Sequence, residues 1–146
     1  MKIVYETKCI SHGGRNGQVV SIDNALKLDL GMPKELTGGT IPAEGKTNPE
    51  QLLAAAIAAD FDTAVNFLGK VQRKLNYRHT KTQALVRLVE VPNVGWVLNL
   101  EIATQFFGLD QKTAAELVTQ ALQSSPYTRA LQNNVEIKLR AQGDLG

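Results

Sequence analysis

Residues 47–61 read Thr47-Asn48-Pro49-Glu50-Gln51-Leu52-Leu53-Ala54-Ala55-Ala56-Ile57-Ala58-Ala59-Asp60-Phe61, and the fold turns on this stretch. Asn48 suits a helix N-cap, and Pro49 suits the first helical position, where its missing N–H costs nothing. Gln51 can reach back to the cap, as in a capping box. The alanine-rich run that follows predicts a helix to about Lys70. Downstream, Thr80–Val91 and Gly95–Gln105 read as two strands joined at Pro92-Asn93. Asp110 caps a second helix to about Gln123, and Pro126 is expected to stop it. Asn134–Ala141 alternates as a last strand. Upstream, Lys2–Ile10 suits a strand, Gly13, Gly14 and Gly17 mark a turn around Arg15, and Gln18–Ile22 and Ala25–Leu30 are two short strands. Residues 31–47, rich in glycine and proline, are expected to form a long loop. The order is three strands, helix, two strands, helix, strand. It predicts an α+β fold with mostly antiparallel pairing, in a single domain over 1–146.

Composition narrows the function classes. At 146 residues the chain can bury roughly two thirds of its unfolded surface. A hydrophobic share of 43% with 21% charged residues is ordinary globular composition and argues against disorder. The net charge of +2 is too near balance for an electrostatic nucleic-acid binder. The longest unbroken apolar run, Leu52–Ala59, is far short of the roughly 20 residues of a membrane span, so no membrane association is expected. Polar residues interleave Met1–Ile10 from the start, which predicts a cytoplasmic protein. The one cysteine, Cys9, excludes an internal disulfide and a two-cysteine redox pair. It is expected to be a small buried hydrophobe on a strand. His12 and His79 lack metal-pair spacing, and no cofactor or metal site is expected.

The chemistry-bearing oddity is Asp60. At 100° per residue, Leu53, Ala56, Ile57, Asp60, Ala64 and Phe67 share one stripe of an almost wholly apolar helix. An ionised carboxylate there needs a partner, because desolvating it alone is prohibitive. Two readings follow: a buried ion pair holding a loop to the helix, or a site acid or base. Asp62, by contrast, reads as a bland carboxylate on the outer face. The glycines around Arg15 read as a plain turn, since no phosphate-loop lysine follows. Ser124, Ser125 and Thr128 lack a nearby histidine and read as caps and turn residues.

Gly13-Gly14-Arg15-Asn16-Gly17, Met32-Pro33-Lys34-Glu35-Leu36, Thr47-Asn48-Pro49-Glu50-Gln51-Leu52 and Ser125-Pro126-Tyr127, in this order, resemble the organic hydroperoxide resistance (Ohr) branch of the OsmC/Ohr family. The resemblance covers nearly the whole chain. It implies an intertwined homodimer, with sheets shared around two central helices and active sites at the subunit interface. It further implies thiol peroxidase chemistry. A cysteine in the first helix attacks the hydroperoxide, a second cysteine resolves the sulfenate, an arginine stabilises the thiolate and a glutamate positions that arginine. Arg15 and Glu50 match the last two. Where the family helix has Ala-Ala-Cys-Phe this chain has Ala58-Ala59-Asp60-Phe61, and where the family has Cys-Pro-Tyr it has Ser125-Pro126-Tyr127.

The resemblance thus implies a site that keeps its charges and lacks its sulfurs. A carboxylate cannot follow the thiol oxidation ladder, and a serine cannot resolve a sulfenate. Asp60 keeps the negative charge of a thiolate, so the resemblance pairs it with Arg15, with Glu50 also on the guanidinium. The leading expectation is a non-catalytic family member whose interface pocket binds a small apolar or acidic ligand. A second is an enzyme using Asp60 as general acid or base, although a carboxylate held by arginine is a poor base near neutrality. A third is a purely structural or interaction dimer.

Overall fold

The computed structural model describes residues 1–39 and 45–145. It falls into two compact units, Met1–Leu52 and Leu53–Gly146.

In the first unit, β1 (Cys9–His12) pairs antiparallel with β2 (Gln18–Ser21), and β2 with β3 (Lys27–Asp29). The predicted first strand is displaced towards the C-terminus. Residues 1–8 lie outside any strand, with Ile3, Val4 and Tyr5 exposed. Their alternation suits a strand, yet β2 ends at Ser21, opposite Cys9, and the pairing runs out with the Lys8 carbonyl, which accepts the Ile22 N–H at 3.1 Å. Cys9 itself is exposed, not buried as expected. Beyond β3, Leu30 bridges Thr47, which leads the chain directly into the first helix. Within the predicted 31–47 loop, Lys34–Leu36 make one 3-10 turn, while residues 40–44, with Pro42, lie outside the described residues.

The first helix, α1 (Pro49–Asn66), starts as predicted: Asn48 Oδ1 accepts the Gln51 N–H at 2.8 Å. Gln51, however, uses its side-chain oxygen to accept the Thr47 hydroxyl at 2.8 Å, so it does not close the capping box back on Asn48. The helix continues through a π-helical stretch, Phe67–Gln72. The whole span, Pro49–Gln72, is 24 residues long, with an 18-residue window of mean hydropathy 1.4. By length and composition alone it is apolar enough to cross a membrane, although only 22% of that window is buried within the chain. A count of unbroken apolar residues misses this, because Asp60 and Asp62 interrupt the run without making the helix polar.

In the second unit, β4 (His79–Val91) and β5 (Gly95–Asp110) form the predicted antiparallel hairpin, with Asn93 at φ 63° in the turn. The last strand, β6 (Glu136–Leu145), lies parallel to β5. A parallel neighbour needs a crossover, and α2 (Gln111–Ser124) with α3 (Pro126–Leu131) provides it. Asp110 caps α2 as expected by accepting the Thr113 N–H at 2.9 Å. The core joins Ile57, Phe61 and Val65 of α1 to Leu100, Ile102 and Phe106 of β5 and to Leu117 and Ala121 of α2. Tyr77 meets Phe106 edge-on, with ring centroids 5.6 Å apart. Gly69 permits this close packing: a Cβ there would stand 2.5 Å from the Tyr77 hydroxyl.

Candidate functional site

Arg15 is presented by a 3-10 turn, Gly14–Asn16, between β1 and β2. The turn depends on Gly17, where a Cβ would fall 1.6 Å from the His12 carbonyl oxygen. Asn16 Oδ1 accepts the Met32 N–H at 3.3 Å and ties the turn to the next segment. From this platform the Arg15 guanidinium donates to both oxygens of Glu50, at 2.9 and 2.6 Å. Glu50 sits in the first turn of α1, where a carboxylate also suits the helix dipole. The Arg15 hydrogen bond holds the Glu50 carboxyl below its ordinary pKa, and the same bond raises that of Arg15. Both side chains are partly covered, at 33% and 19% exposure.

Asp60 departs from expectation. The buried positions of α1 are Ile57, Phe61 and Val65, and Asp60 is half-buried beside that row, not within it. A helix apolar nearly all round gives its angular pattern little power to say which side turns inward. Arg15 pairs with Glu50, and the Asp60 carboxylate accepts the Ser125 hydroxyl, a partner the sequence did not suggest. The fork of Arg15 is matched by one carboxylate, and a neutral hydroxyl satisfies the other.

Ser125 confirms its reading as a cap and does more. It is the N-cap of α3, with its Oγ accepting the Thr128 N–H at 3.3 Å, and it is almost fully buried at 1% exposure. Pro126 does not merely end α2; it opens α3 at the first position. Asp60 and Ser125 line a groove of about 280 Å³ together with Ala64, Phe67 and Pro126. Four expected site residues thus form two pairs, Arg15 with Glu50 and Asp60 with Ser125. Of the other residues lining the groove, Phe67 shares the stripe of Asp60 and Ser124 reads as a cap or turn residue, whereas nothing in the sequence singles out Thr63.

Asp62 is far from bland. Its Oδ1 accepts the hydroxyls of Thr80 at 2.7 Å and Thr82 at 2.8 Å. Thr82 meets Thr104 at 3.0 Å, and Asn66 donates to Thr80 at 2.7 Å while accepting the Tyr77 hydroxyl at 3.2 Å. Burial, then the Asp62 charge, push the Tyr77 hydroxyl up in pKa. The network pins α1 to β4 and β5. No group of metal-ligating side chains occurs among the described residues.

No family model matches the chain. Whole-chain relatives do. An organic hydroperoxide resistance protein-like 2 of Staphylococcus epidermidis is 33% identical over 137 residues, 93% of this chain and 94% of that one. An organic hydroperoxide resistance protein-like protein of Staphylococcus aureus is 36% identical over 95% of this chain and 96% of its own. The crystal structure of an organic hydroperoxide resistance protein from Legionella pneumophila superposes with a TM-score of 0.88 at 39% identity, over 97% of this chain and 99% of that one. One from Elizabethkingia anophelis, with thiocyanate bound, gives 0.89 at 33% identity, over 99% and 100%. The order of elements, the arginine turn before β2, the capped helix that carries Glu50 and these whole-chain likenesses agree: the chain belongs to the OsmC/Ohr family of proteins related to organic hydroperoxide resistance.

Proposed function

We propose that this chain is a family member without thiol peroxidase activity, whose groove beside Asp60 serves as a small-ligand site. The observation that carries the reading is the Asp60–Ser125 hydrogen bond. At the two positions where the resemblance places working cysteines stand a carboxylate and a hydroxyl, bonded to each other. Neither can be oxidised to a sulfenate and resolved. Cys9, the sole cysteine, is exposed on β1 and has no second thiol in the chain to resolve it. Arg15 and Glu50 keep the ion pair that the resemblance assigns to thiolate stabilisation, with no thiolate to stabilise.

The working unit in this reading is a homodimer, located in the cytoplasm, with no cofactor, nucleic acid or membrane as partner. Two features support the dimer. The 24-residue apolar helix is mostly uncovered within its own chain, and the strand-like residues 1–7 have no strand partner among the described residues. In this reading a second copy supplies both. The test is consumption of an organic hydroperoxide with a dithiol reductant, for the natural chain and for Cys9→Ser. The expected result is no turnover above background in either. Turnover that survives the loss of Cys9 overturns the reading.

A further inference from the structure

We propose that the face of the β4–β5–β6 sheet turned away from α1 holds a second small-ligand site, one for a phosphate monoester with a hydroxylated body. It shares no residue with the groove at Asp60. Side chains alternate across a sheet. Thr82 and Thr104 turn towards Asp62 of α1, so Lys81, Gln83, Ala103 and Gln105 turn to the other face. Ala141 stands opposite Thr104 on β6, which puts Arg140 and Gln142 on that face as well. Ala103 is the centre of the arrangement. It stands between Gln83 and Arg140 in register, and one row along β5 Gln105 stands between Lys81 and Gln142. One methyl group ringed by long side chains leaves a notch in an otherwise even face. These six side chains line a cavity of about 420 Å³, a size that suits a small ligand.

Charge decides the guest. Glu101, the next residue on this face of β5, pairs with Arg87 at 3.4 Å and with Arg140 at 3.0 Å. It meets Arg140 at Nε, which leaves the two terminal guanidinium nitrogens for a guest. Lys81 adds an ammonium from the other side of the notch. Strands lie about 4.8 Å apart, so Lys81 and Arg140 rise from strands about 10 Å apart and both can lean over Ala103. Around the notch Lys81, Arg87 and Arg140 thus outweigh the single charge of Glu101, which favours a dianion. The guanidinium fork and the compact ammonium together suit phosphate. The amides of Gln83, Gln105 and Gln142 each carry N–H donors and a carbonyl acceptor. That set matches hydroxyl groups, which donate and accept, whereas an apolar body would find only the Ala103 methyl.

The test is calorimetric titration of the full-length protein with glucose 6-phosphate, inorganic phosphate and glucose at neutral pH and low salt. Glucose 6-phosphate should bind about tenfold more tightly than inorganic phosphate, and glucose should not bind. Lys81→Gln should weaken glucose 6-phosphate about tenfold, the loss of one hydrogen bond to a charged group. Lys138→Gln removes the same charge from the same face outside the cavity and should change binding less than about twofold. Ala103→Leu fills the notch with every cation in place and should abolish binding. Should that variant misfold, the contrast between Lys81→Gln and Lys138→Gln still decides. Equal losses in those two variants would mark diffuse surface charge and overturn the site. Inorganic phosphate binding as tightly as glucose 6-phosphate overturns the hydroxylated body, and binding of none of the three overturns the proposal entirely.

Discussion

Breaking the Arg15–Glu50 pair should destabilise the fold measurably and in a pH-dependent way. Two charge-assisted hydrogen bonds join the partners, at 2.9 and 2.6 Å, in a fork that one carboxylate fills completely. Exposed pairs contribute about 0.2–1 kcal/mol, while removing one partner of a fully buried pair costs about 3–5 kcal/mol. With side chains 33% and 19% exposed, this pair lies between those limits. Arg15→Met or Glu50→Gln alone should cost about 1–2 kcal/mol, with a coupling near 1 kcal/mol in the double variant. At this chain length that corresponds to roughly 2–4 °C in Tm per kcal/mol. The Arg15 hydrogen bond lowers the folded-state pKa of Glu50. Its contribution is therefore complete above the unfolded value of about 4.3 and is lost as pH falls through the lower folded value. Urea unfolding of all four proteins at pH 7 and at pH 3, at one fixed concentration, reads both effects. Single losses that simply add in the double variant, or a coupling as large at pH 3 as at pH 7, would refute the pairing as an energetic unit.

Two further outcomes follow from the second unit and from the uncovered helix. Asp62→Ala should cost about 2–3 kcal/mol, since it removes the acceptor of two hydroxyls that can only partly re-pair through Asn66 and Thr104, and Asp62→Asn about half as much; urea midpoints check this, and a loss of Asp62→Ala below about 0.5 kcal/mol would show the network to be dispensable. If the proposed dimer covers the apolar helix Pro49–Gln72, sedimentation equilibrium should give a dimer down to low micromolar concentration; a folded monomer there contradicts the shared-sheet reading.

What the sequence revealed and what it hid have separable physical causes. Helix starts were legible because a cap is a local contract: Asn48 with Pro49, and Asp110, each satisfy backbone groups within three residues. Helix α3 uses the same grammar, Ser125 as cap and Pro126 at the first position, but a proline that ends one helix hides the start of the next. Strands that find a neighbour through a tight turn, as β4 and β5 do across Asn93, were equally plain. Residues 1–8 show the limit of that inference. Alternation states a preference for a sheet, but only a neighbouring strand makes one.

The two aspartates of α1 carry the sharper lesson. On a helix apolar nearly all round, spacing alone singled out Asp60 as buried and dismissed Asp62. Its neighbours in space reverse the order. Thr80 and Thr82 alternate on one face of β4, and Thr104 stands opposite Thr82 on β5. A run of hydroxyls facing inward requires an acceptor, and Asp62 provides it. Asp62 is therefore bound into the scaffold, its charge engaged by threonines. Asp60, half-buried, accepts the single hydroxyl of Ser125. A carboxylate kept only for structure has a measurable signature: neutralising Asp60 as Asp60→Asn would then lower stability, as it should for Asp62. If Asp60 serves a ligand, Asp60→Asn leaves stability unchanged, and that contrast separates the two aspartates by their roles.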